Sequence, residues 1–191
     1  MDEFKILNTQ LNRIRGMNKY YHQQFLLDVR ILFFFSTIFW YLSTDNNDVY
    51  YLLPIISLFG AVLLAFHAHY LIFSRNYSQF LEEKINKYSD NEILITHKLE
   101  NSYLFPIQDK KLVVAKLGKN FTWFGFVTLF ITIFGIFSYI LSINKLLKME
   151  YNQYYLIFLG VVTSVALLFG IWWFLLGKGE KILDKVFDEY R

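Results

Sequence analysis

The sequence predicts an all-α membrane protein: four transmembrane helices with helical extensions on the cytoplasmic side. Three observations predict it. Apolar residues fill 55% of the 191 positions and charged ones only 18%, against about a quarter charged in a water-soluble domain. The charges are crowded between four long stretches that hold almost none. Lys and Arg are also lopsided, with 17 of 19 in the N-terminal segment and its junction with the first span (Arg30), the central segment and the tail, which is the bias that fixes topology.

Residues 1–24 read as a cytoplasmic amphipathic helix, because Phe4, Leu7, Leu11 and Ile14 recur at 3-4-3 spacing and draw one stripe. They do not read as a cleavable signal, since charged sequence continues to Leu26 before any apolar core. Residues 25–43 form the first span. Its uninterrupted apolar part, 31–42, is shorter than the ~20 residues that cross a hydrocarbon core, so Asp28 and Arg30 are expected at its inner boundary. Residues 49–73 form the second span and complete a first transmembrane hairpin over 25–73. Its helix is expected to continue through the stripe Phe73, Tyr77, Phe80, Leu81 and Ile85 into a cytoplasmic segment, 74–120. Within that segment 91–106 reads as helix or strand in its first half, and Pro106 ends either. Spans at 121–143 and 154–176 make the second hairpin, 121–176. The tail, 177–191, carries a last stripe of Ile182, Leu183, Val186, Phe187 and Tyr190. In lipid each span must be helical, because every backbone amide has to be satisfied within its own segment.

The cation bias puts both termini and the central segment on the cytoplasmic side, with the two hairpin loops outside. Absence of Cys excludes thiolate chemistry and Cys-based metal sites. No cofactor or metal is expected, and no Gly-rich phosphate loop or HExxH motif occurs.

Four groups of residues are candidates for function. Gly125, Thr128, Thr132, Gly135 and Ser142 share a face of the third span. Small and hydroxylated residues there suit close helix packing, or a mildly polar pore lining. Ser57, Ala61 and Ala65 make a second small stripe ending at His69, and Gly160, Ser164 and Gly170 a third. Asp28, Arg30, His67 and His69 are the juxtamembrane gate candidates, since ionisable groups at membrane depth are costly. His67 and His69 point about 200° apart on a helix and cannot share one metal. Lys110, Lys111, Lys116 and Lys119 are candidates for anionic lipid or an anionic ligand. For an enzyme the available groups are His22, His97 and Glu100, with His97 and Glu100 expected as a solvated helical pair.

The segment EILITHKLENSYLFP, residues 92–106, after a helix-extended second span, resembles a pattern in uncharacterised bacterial four-helix integral membrane proteins. The layout also resembles small membrane effectors of nucleotide-signalled anti-phage defence. That resemblance implies a homo-oligomeric channel or pore-forming effector in contact with membrane lipids. It would be gated from the cytoplasmic side by a nucleotide, oligonucleotide or protein regulator. It carries over no catalytic or binding residue. The alternatives are a non-conducting scaffold that docks a cytoplasmic partner, and a membrane-embedded enzyme.

Overall fold

The computed structural model describes residues 3–89, 91–100, 107–108, 111–112, 123–149 and 153–190. It is all-helical apart from a two-residue antiparallel ladder between β1 (Ile107–Gln108) and β2 (Lys111–Leu112). Helix α1 (Glu3–Leu42) is continuous, so the expected amphipathic helix and first span belong to one helix. A 3-10 turn (Asn47–Tyr51) leads into α2 (Leu52–Tyr88). The side chain of Asn46 caps that turn by accepting from the Asp48 amide at 2.9 Å. Then come a single helical turn, α3 (Thr96–Leu99), and α4 (Trp123–Leu146). Helix α5 (Gln153–Gly170) passes into a π-turn at Ile171–Leu175 before α6 (Lys178–Tyr190). Four of these helical stretches are long and apolar enough to cross a membrane.

The chain packs as two compact units. One combines Met1–Gln24, His67–Leu129 and Val186–Arg191. Its core sets Leu7, Leu11 and Ile14 of α1 against Leu81 and Ile85 of α2. Burying each such side chain contributes roughly 1.5–3 kcal/mol. Phe73, Tyr77 and Phe80 pack around that core, and Phe187 stacks on Phe80 at 4.7 Å between ring centres. Two stripe expectations are corrected here. Phe4 is exposed, because the first turn of α1 overhangs the core that begins at Leu7. Of the tail stripe Phe187 is buried and Leu183 half-buried, while Ile182 and Val186 stay exposed.

The second unit combines Phe25–Phe66 and Phe130–Lys185. There α1 and α2 approach so closely at Gly60 that a Cβ would lie 2.5 Å from a Leu32 methyl. The Trp40 indole donates to the Ser138 hydroxyl at 3.0 Å. Tyr139 and Thr163 share a 2.7 Å hydroxyl bond between α4 and α5. At one end Tyr50, Leu53 and Leu146 form a small core, over which the Tyr155 hydroxyl donates to the Tyr51 carbonyl.

Candidate functional site

The densest polar chemistry lies in the first unit, on the side of α2 that faces inward. From Leu71 to Ile85 the buried positions of this helix are Leu71, Ser74, Arg75, Asn76, Ser78, Leu81, Glu82 and Ile85, one side of the helix with its polar residues gathered at 74–78 and at 82. Glu82 is 0% exposed. Its Oε1 accepts from Arg15 Nη2 of α1 at 2.7 Å. Its Oε2 accepts from the His97 backbone amide at 3.2 Å and lies 2.9 Å from His97 Nδ1. Arg15 Nη2 also donates to Thr96 Oγ1 at 2.9 Å. One carboxylate therefore ties α1, α2 and the first turn of α3 together.

One helical turn further along α2, Asn86 completes the attachment. Its Oδ1 accepts from the amides of Ile93 and Leu94, and its Nδ2 donates to the Leu94 carbonyl at 2.7 Å. Those three bonds tie residues 93–94 to α2, and the helix-or-strand alternative is resolved as neither: residues 92–95 have no regular element and one helical turn follows them. The local reason is that the backbone groups of Ile93 and Leu94 are satisfied by a side chain instead of by a helix or ladder.

Burial alone would raise the Glu82 pKa, but the hydrogen bonds from Arg15 and His97 and the Arg15 charge together hold it below the ordinary carboxylate value. Glu100 moves the other way: burial raises it, only partly opposed by Arg75. Arg75 is 3% exposed. Its Nη1 donates to Asn76 Oδ1 at 3.2 Å, and its Nε has no hydrogen-bond partner among the described residues. Burial lowers its pKa while Glu100 opposes the shift. The expected solvated pair of His97 and Glu100 is thus corrected. His97 is buried, because Glu82 supplies an acceptor at both its ring and its backbone. His22 is half-buried on α1, and burial lowers its pKa.

The face expected on the third span divides. Gly125, Thr128 and Ser142 are buried, Gly135 is half-buried with nothing within 4 Å of a Cβ position, and Thr132 is exposed. Its hydroxyls largely close on their own helix, Thr128 donating to the Gly125 carbonyl and Ser142 to that of Ser138. Of the second stripe, Ser57 is buried and Ala61 exposed, while the close approach falls on Gly60. In the third, Gly160 and Ser164 are exposed and Gly170 is half-buried. Asp28 is half-buried and Arg30 exposed. His67 lies 6.3 Å from the Tyr21 ring, and His69 packs edge-on to Tyr70 at 5.6 Å. Lys110, Lys116 and Lys119 lie outside the described residues, and of Lys111 only the strand backbone is described. Among the described residues no group of three or more His, Cys, Asp or Glu could hold a metal ion.

Sequence reasoning missed Arg15, Arg75, Glu82, Asn86 and Thr96. The signal was present as polar residues spaced three and four apart within an apolar stripe, with Glu82 and Asn86 one turn apart.

No family model, curated protein or solved structure matches the chain.

Proposed function

We propose that this protein is the subunit of an oligomeric transmembrane channel or pore-forming effector, gated from the cytoplasmic side, in bacterial anti-phage defence. It would reside in the inner membrane with both termini in the cytoplasm and perform no chemistry of its own. The observation that carries this reading is the course of α1 and α2. Each is one uninterrupted helix with residues in both units, joining a stretch apolar enough to span a bilayer to the ionic cluster of Arg15, Glu82 and His97. A nucleotide, oligonucleotide or protein regulator that redistributes charge at such a cluster would bias the same rods that cross the membrane.

Assembly is supported by how little of the apolar windows one chain buries, from 6% in the fourth candidate span to 33% in the second. Lipid covers part of that surface, and further copies would cover the rest around an axis. Gly135 and Thr132 on α4 are the lining candidates. Protein reconstituted into vesicles should release trapped ions, and Glu82→Gln should alter the leak. Vesicles that stay tight with wild type and variant across candidate cytoplasmic ligands would refute it.

The scaffold reading is favoured by one feature, an open groove of about 590 Å³ lined by Glu3, Phe80, Glu83, Lys84, Lys87 and Tyr88. Its mixed charges suit a protein partner. Co-purification of a soluble protein with a monomeric, non-conducting chain would favour it.

A further inference from the structure

Where the apolar part of the fourth candidate span ends, the helical path breaks within a few residues, at two glycines. After the π-turn, Leu176 N donates to the Ile171 carbonyl at 2.9 Å. Gly177 then adopts φ 64°, a left-handed conformation that ends helices and that side chains with a Cβ disfavour. Two residues on, Gly179 sits so close to the Trp173 indole that a Cβ would lie 3.0 Å from its Nε1. The start of α6 is therefore packed back on the last turn of the span and does not extend it.

The outward edge of this segment is apolar next to basic. Leu175, Leu176 and Ile182 are exposed, and so are Lys178, Lys181 and Lys185. On the α6 wheel the three lysines lie about 40–100° to one side of Ile182. A helix with an exposed apolar edge, flanking lysines and a hinge at the end of a span has the features of one that lies in the headgroup layer.

We propose that the first two turns of α6 form a lipid-contacting surface helix that binds anionic phospholipid headgroups, with Ile182 and Leu176 in the acyl boundary and Lys178, Lys181 and Lys185 among the phosphates. Charge complementarity selects the occupant, since a cation near an anionic surface contributes roughly a factor of five in binding. Continuity with the span fixes the level, because Leu175 and Leu176 directly precede the hinge. The inference rests on the fourth span crossing the bilayer and not on conduction, so a protein that never leaks can still satisfy it.

The chain has no Cys, so Ile182→Cys gives a single labelling site without further changes. Bimane-labelled protein would be reconstituted in phosphatidylcholine vesicles, with and without phosphatidylglycerol. Quenching by a nitroxide-bearing lipid and by aqueous iodide would be compared. The expected result is a blue-shifted emission quenched from the lipid and shielded from iodide, more strongly when phosphatidylglycerol is present. In a Lys178→Gln, Lys181→Gln, Lys185→Gln background the phosphatidylglycerol dependence should vanish, with each lysine removed lowering anionic-lipid binding by about fivefold. Iodide access in every vesicle would overturn the proposal. Shielding from both quenchers would also overturn it, in favour of a second copy or partner covering the edge. Equal lipid quenching with and without phosphatidylglycerol would overturn the anionic preference. Unchanged circular dichroism of each variant keeps these outcomes interpretable.

Discussion

Replacing Glu82 by Gln tests the ionic cluster most directly, because the geometry leaves the amide no good orientation. Oε1 serves Arg15, and Oε2 serves both the ring and the amide of His97. Whichever way the amide is turned, its NH2 faces a donor. The side chain of Arg15 is 35% exposed and that of His97 only 9%, so Arg15 is the partner that can turn to water. The Gln oxygen should therefore serve His97 and release Arg15. Losing one partner of a buried ion pair costs about 3–5 kcal/mol, and solvation of the freed guanidinium reduces that to about 2–3 kcal/mol, near the value of one charge-assisted bond. The assay is amide hydrogen exchange in detergent or nanodiscs, read at Ile93, Leu94 and His97. At 1.4 kcal/mol per tenfold, exchange there should accelerate roughly 30- to 150-fold, while the Leu53 and Leu146 region is unchanged. The pH dependence gives a second reading. Because the native carboxyl titrates below its ordinary value of 4.5, its stabilisation is fully present above that value and is lost as pH falls through the native pKa. The difference between wild type and variant should hold from pH 7 to about 5 and shrink below. Exchange at His97 within threefold of wild type, in a folded variant, would refute the assignment of Glu82 as the residue that fixes this segment.

Two further substitutions separate glycines that pack inside the chain from glycines that face outward. Gly60→Ala should destabilise by about 1–3 kcal/mol through crowding against Leu32, less up to about 1 kcal/mol of helix propensity. A second change, Leu32→Ala, should then cost less in that background than in wild type, as thermal unfolding in detergent would measure; additive effects would dismiss the contact. Gly160→Leu has nothing within 4 Å of its Cβ, so it should leave the unfolding temperature at or above that of wild type. If α5 meets another copy at that face, the same substitution should convert oligomer to monomer in native mass measurement, and an unchanged assembly would remove Gly160 from any interface.

The four long apolar helices were legible because hydropathy is a local property of each stretch. The stripe of Leu7, Leu11 and Ile14 and its counterpart Leu81 and Ile85 were legible for the same reason. What each stripe touches was not. Phe187 finds Phe80 and Tyr77, whereas Ile182 on the same helix stays exposed, and periodicity treats the two alike. Glu82 escaped notice because a carboxylate on an amphipathic helix is ordinarily solvated. Its burial depends on Arg15, 67 positions away, and on His97, 15 positions ahead. Spacing along one helix contains neither fact.

The same limit applies to small residues in the spans. Gly60 and Gly160 are equivalent letters in apolar helices, yet one has a Leu32 methyl at 2.5 Å and the other has open space. Close packing within one chain therefore accounts for the first and leaves the second unexplained by the monomer. Ser138 and Ser142 make the complementary point: the sequence pattern named Ser142 together with Thr132 and passed over Ser138, and both serines are fully buried on α4 while Thr132 is exposed. Ser138 accepts from Trp40, and Ser142 donates to Ser138's carbonyl, so these hydroxyls are spent inside the fold and cannot line a path for ions. Any conducting surface must instead draw on the face that a single chain leaves open, where Thr132 lies. For a pore, that would call for several copies, and it makes the exposed Thr132, not the buried serines, the residue whose enlargement should change conduction.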